Sequence, residues 1–254
     1  MKRTLLAAFF STSILLTTPQ VQAQLVYEWS DTYFIDAAVN ANIERNKQYL
    51  EELRRENKSS TSNKSAPKAR QTVAKQNVHK YKHSDSTTHE VNEAMFAALA
   101  QQLKNKGSYN DQSEQQLTAL KNANLIKQVR QALESDGYDT TSIATATAYA
   151  ITISYGIANN LDLSQLKAHG LVHQLQEVME EDSTMQSLSN TDKQKMADTL
   201  YWIGNLELAM YMEAQKNGDS QALGIIANDA RSILSMLGVS GDQITQGSNG
   251  LEIR

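Results

Sequence analysis

His169, His173 and Glu177 recur at intervals of four, which sets three metal-ligating side chains on one face wherever the segment is helical. Two imidazoles so spaced chelate a borderline ion such as zinc, copper or nickel, and Glu177 adds a carboxylate oxygen. The zincin arrangement for activating water needs a glutamate directly after the first histidine, and Gly170 stands there instead. A plainer reading makes His169 and His173 polar neighbours of the apolar row Leu171, Leu175 and Val178. Two or three ligands on one helix leave a site open, and no further ligand is evident along the chain.

His79, His83 and His89 form a second group, in and just after a basic stretch without neighbouring acids, and are expected to be exposed and solvated. Glu177, Glu180, Glu181 and Asp182 lack the alternating oxygen ligands and the glycine of a calcium loop, so they cap or solvate a helix end. The chain has no cysteine, which removes thiolate nucleophiles and thiolate metal sites. No nucleotide-binding glycine loop and no nucleophile elbow is present, so no catalytic residue is assigned and no cofactor is expected. Tyr149, Tyr155, Tyr201, Trp202 and Tyr211 are expected in the core, their polar atoms paired locally.

The elements that must hold these residues read as helices from residue 86 to 240. Val91, Met95, Leu99 and Leu103 form one stripe, with Thr87 and Glu90 as a capping box. Leu117, Leu120, Leu125, Val129 and Leu133 form another, and the pattern leaves open whether a break falls at residues 122–124. Residues 140–161 carry no charge over 22 positions, yet their threonines, serines and asparagines make them too polar for lipid. Small residues at Ala144, Ala148 and Thr152 suit close helix approach, so this is the central buried helix. A helix capped by Asp162 or Ser164 follows, then a long one through Met196, Leu200, Ile203, Leu206 and Met210. The last runs through Leu223, Ile226, Ala230, Ile233 and Leu237. The fold class is therefore all-α, a compact bundle of about six helices. The tail, residues 241–254, is expected to be largely without order, save a short extended piece at Leu251 and Ile253.

Ahead of the bundle, residues 1–23 read as a cleaved secretory signal: Lys2 and Arg3, an apolar run, then Val21-Gln22-Ala23. The run is shorter than the roughly 20 apolar residues a spanning helix needs, so no membrane anchor is expected. Export to the periplasm or beyond follows, and without cysteine no lipid anchor. Residues 24–56 carry an amphipathic helix with Ile35, Val39, Ile43, Leu50 and Leu53 on one stripe, a surface suited to a partner. Residues 57–85 are rich in Ser, Lys, Asn and Thr and read as a flexible basic tether, a solvated linker or a means of attachment to an anionic surface. From residue 89 onward, 11 Lys and Arg face 20 Asp and Glu, a balance that repels phosphate backbones and argues against nucleic acid.

Three blocks, YDTTSIATATAYAITISYG at 138–156, DKQKMADTLYWIGNLELAMYM at 192–212 and GDSQALGIIANDARSILSMLG at 218–238, resemble a family of exported bacterial all-helical domains of unknown function. The resemblance covers residues 86–240. It implies a helical fold and brings no functional residues. The expected function is a non-enzymatic exported module that binds an envelope protein or an anionic surface. The alternatives are an envelope hydrolase using carboxylates or a His-bound metal, and a small inhibitor or immunity-type protein.

Overall fold

The computed structural model describes residues 77–254. The signal segment, the stripe from Ile35 to Leu53 and the tether as far as residue 76 lie outside the described residues. Helices α1 (Asp85–Asn105), α2 (Asp111–Asn122), α3 (Leu125–Ser135), α4 (Ile143–Ala158), α5 (His169–Glu181), α6 (Ser183–Ser187), α7 (Asn190–Asn217) and α8 (Ser220–Met236) precede strands β1 (Ile244–Gly247) and β2 (Gly250–Ile253). Seven of the helices are substantial and α6 is a single turn, so the all-α expectation holds.

The uncharged segment becomes α4, the axis of the bundle. Ser142 starts it by accepting a hydrogen bond from Thr145 N at 3.4 Å. Every residue of α4 except Tyr155 is buried, because α7 and α8 cover it from two sides and α5 from a third. Close approach depends on small residues: a Cβ at Gly204 of α7 would lie 2.8 Å from the Tyr149 ring. α1 and α3 lean on α7, and α2 packs on α1. No described helix is long and apolar enough to cross a membrane.

The helix boundaries differ from the expected ones where polar chemistry decides them. Ser84, not Thr87, precedes α1, and Thr87 is buried. Asn110 caps α2 by accepting from Gln112 N and Ser113 N. The break left open at 122–124 is real, for Asn124 adopts a left-handed conformation with φ 53° and separates α2 from α3. Asp162 caps only a 3-10 turn, Leu163–Gln165, through Ser164 N, and α5 starts afresh at His169.

Two segments expected to be loose are packed. Of the stretch read as tether, residues 77–85 lie on the bundle, with Val78, His79 and Tyr81 buried. This strap pairs with the N-terminus of α4: Tyr81 N donates to Thr141 O and Ile143 N to His79 O, both at 3.0 Å. The tail forms an antiparallel hairpin, Ile244 opposite Ile253 and Gly247 opposite Gly250, and buries Ile244, Leu251 and Ile253. Alternation of inward and outward side chains is what lets so polar a segment fold. The hairpin seats on α5. Gln174 donates to Ile253 O at 2.9 Å and accepts from Ile253 N at 2.8 Å, and Leu251 N donates to Lys167 O.

Candidate functional site

α5 and the hairpin enclose a cleft of about 570 Å³, lined by Lys167, His169, His173, Gln174, Asn249 and Glu252 among others. Gly170 makes the approach possible: a Cβ there would meet Leu251 O and the Glu252 side chain at 2.6 Å, and its N–H donates to Asn249 O at 3.0 Å. The glycine that breaks the zincin pattern is thus the seat of the hairpin.

Of the three residues read as metal ligands, all lie on α5 and two belong to this cleft. His173 Nδ1 is 3.7 Å from Glu177 Oε2, with both side chains more than half exposed. His169 turns elsewhere. Its Nδ1 is 3.0 Å from the Tyr138 hydroxyl and its ring stacks on Tyr138 at 4.4 Å between centroids. Since Tyr138 Oη also accepts from Ala168 N at 3.0 Å, its proton is free to go to the imidazole. Burial raises the pKa of Tyr138, and with it the fraction of neutral phenol able to donate. Burial likewise raises that of Asp136, opposed by nearby His169. Among the described residues no group of three or more His, Asp or Glu converges closely enough to hold a metal ion.

The second histidine group is not uniformly solvated, contrary to its expected exposure. His79 is only 2% exposed, with Nδ1 at 2.9 Å from Ser142 Oγ and Nε2 at 3.8 Å from Glu180. Burial lowers its pKa, more strongly than Glu180 raises it. His83 Nδ1 accepts from Arg130 Nη1 at 2.7 Å although His83 is exposed, and His89 is exposed as expected. The acidic run is split in the same way, Glu180 reaching inward to His79 and Glu177 outward.

A buried polar cluster was not anticipated from the sequence. Asp198 of α7 is wholly buried and forms an ion pair with Arg130 of α3. Its other oxygen accepts from Thr88 Oγ1 at 2.8 Å and from Gln194 Nε2 at 3.2 Å. Arg130 also donates to the Tyr81 hydroxyl at 3.1 Å, and its guanidinium lies 5.8 Å from the Tyr81 and Tyr201 ring centroids. Gln194 closes the ring by pairing with both Ser84 N and Ser84 O. Burial works against the Arg130 charge, yet Asp198 together with Tyr81 and Tyr201 outweighs it and holds the pKa above its ordinary value. This cluster joins the strap, α1, α3 and α7, and its geometry is that of a structural clamp. The one signal for it is the spacing Gln194, Asp198, Tyr201, which puts polar groups on an otherwise apolar helix face.

Glu207 is the other buried carboxyl among the described residues. It accepts from Ser154 Oγ at 2.7 Å, and burial pushes its pKa up to about 8, so it is mostly protonated at neutral pH. The expected core aromatics are inside, and Tyr201 and Tyr211 donate to Thr140 O and Asn160 Oδ1. Tyr155 is only partly buried, and the Tyr149 hydroxyl has no partner in the protein.

The architecture is thus a bundle wound on an uncharged central helix, with a hairpin that builds a polar cleft on one helix side. The chain belongs to DUF6683, a family of unknown function whose model matches residues 2–254, well beyond the 86–240 covered by the blocks quoted above. No curated protein and no solved structure matches it.

Proposed function

We propose that this chain is an exported, non-enzymatic helical module that binds another macromolecule of the cell envelope, and that the cleft between α5 and the hairpin is a recognition surface. The signal-like residues 1–23 support export. The observation that carries the binding reading is the cleft itself. It sets Lys167, His169, His173, Asn249 and Glu252 around a hollow of about 570 Å³, a mixed-charge and amide lining suited to polar chains such as peptide or glycan. By contrast, the buried ionisable groups Arg130, Asp198 and Glu207 are engaged inside the bundle, away from solvent.

Crosslinking in the intact envelope followed by mass spectrometry tests this. Crosslinks from Lys167 to a partner are expected, and they should disappear in a His173→Ala/Glu252→Ala variant that melts like the parent. Crosslinks that survive the substitutions place recognition elsewhere, and the stripe Ile35, Val39, Ile43, Leu50, Leu53 is then the surface to test by deleting residues 24–76.

A hydrolytic reading draws on one feature, the imidazole of His169 oriented by Tyr138 at the cleft rim. It predicts turnover of an envelope polymer that is abolished in His169→Ala.

A further inference from the structure

Glu252 lies in the cleft between α5 and the hairpin, and the chain carries a glycine on either side of it. A Cβ at Gly247 of β1 would fall 2.5 Å from Glu252 Oε1 and 2.8 Å from Oε2, and one at Gly170 of α5 would fall 2.6 Å from Glu252 Cγ. Neither glycine has a positive φ, so backbone conformation does not demand one at either position. Gly170 also clears Leu251 O, but the nearest atoms to a Cβ at Gly247 all belong to the Glu252 carboxyl. A glycine inside a strand weakens it and marks a place where another group comes close. Here that group is the carboxylate.

The carboxylate seated in this way is half-buried and has no hydrogen-bond or ion-pair partner among the described residues. Lys167, His169 and His173 line the same cleft, yet His169 is bonded to Tyr138 and His173 lies beside Glu177. Gln174 is occupied at both ends of its amide by Ile253. An acceptor held in place by packing and left without a donor is preorganised for one that arrives with a ligand. A metal ion needs several converging ligands, and the described residues bring no such group together. An ammonium needs only one carboxylate. The acidic balance from residue 89 onward, 11 Lys and Arg against 20 Asp and Glu, draws cations toward this body.

We propose that Glu252 sets the specificity of the cleft by taking the ammonium of a lysine-like side chain on a peptide segment of the partner. Lys167 does not bar it, since that side chain is exposed on a flexible stem and forms no ion pair with Glu252. Ser248 and Asn249, exposed at the turn, are the polar groups left to meet the peptide backbone. The inference rests on the cleft being a recognition surface and adds the chemistry of the group it selects.

Amide shifts of the nitrogen-15-labelled full chain test it, with a capped tri-lysine peptide as the probe. The amides of Gly170, Asn249, Gly250 and Leu251 should move, and Glu252→Gln should weaken binding by about tenfold or more. Acetylating the lysines removes their charge and keeps their stems, so it should weaken binding as much, and it decides the matter if Glu252→Gln fails to fold. Equal affinity of the plain and acetylated peptides at these amides overturns the ammonium assignment and leaves the cleft as a recognition surface. Shifts confined to other amides, or none at all, overturn the assignment to Glu252, while the crosslinks from Lys167 judge the recognition surface separately.

Discussion

Asp198 shows most plainly how much one residue can depend on another. Arg130→Met leaves a buried carboxylate with only Thr88 and Gln194 for company, and should cost about 3–5 kcal/mol of unfolding free energy. Arg130→Met/Asp198→Leu removes the charge as well as its partner, so it should lose less than the single variant. Urea midpoints measure both, and a double variant at least as unstable as Arg130→Met refutes the idea of a compensated pair. Glu207 makes the opposite case, a carboxyl kept uncharged. Its folded pKa of about 8 lies above the unfolded 4.5, so the folded state keeps a proton that the unfolded state releases. The associated stability is fully present below pH 4.5 and is lost as pH rises toward 8, by on the order of 5 kcal/mol in all. Glu207→Gln should flatten that loss. Its urea midpoint should gain on the parent between pH 5 and pH 8, and parallel profiles in the two proteins would disprove the assignment.

At the scale of elements, the hairpin depends on a backbone that tolerates no side chain at Gly250. Its φ is +104°, and a Cβ would fall 2.3 Å from Lys167 O, the same carbonyl that accepts from Leu251 N. Gly250→Ala should therefore unseat β2 from α5 and collapse the cleft while α4, α7 and α8 stay folded. Hydrogen exchange reads this directly: the Leu251 and Ile253 amides should lose protection at least tenfold, and amides of α4 should not change. The helices themselves were legible in the sequence because rows such as Met196, Leu200 and Ile203 repeat over many turns. Of the hairpin only the extended piece at Leu251 and Ile253 was legible, since strands of four residues offer only two inward positions each. The clamp was hidden altogether. Arg130 and Asp198 are 68 residues apart, and Thr88 lies 110 residues from Asp198, so neither spacing carries information before the helices are assembled. For the cleft, the histidine spacing on α5 was readable. Glu252, brought by a hairpin whose seat is Gly170, was not.

For the whole molecule, the decisive question is where the folded body begins. Composition placed its start at residue 86, because residues 57–85 are poor in large apolar side chains. The bundle instead uses residues 77–85 as a strap that covers the start of α4 and gives Arg130 its Tyr81 partner. Burying a side chain such as valine or tyrosine contributes about 1.5–3 kcal/mol each, and Val78 and Tyr81 are both buried here. A chain starting at residue 86 should then melt about 10 °C below one starting at 77, given 2–4 °C per kcal/mol at this size. Two truncations melting within about 2 °C of each other would show that the strap is a bystander. The pH dependence adds a check with a fixed sign. Burial holds the His79 pKa below 6.5, against Glu180 and Asp139 and with Lys80 and Lys193, so the unfolded chain takes up a proton first as pH falls. The strap's contribution is whole above pH 6.5 and declines as pH falls through the depressed value. The gap between the two truncations should therefore narrow on acidification, opposite in direction to the change at Glu207. A gap that widens from pH 7 to pH 5 would mean that the attraction of protonated His79 to Glu180 outweighs its burial.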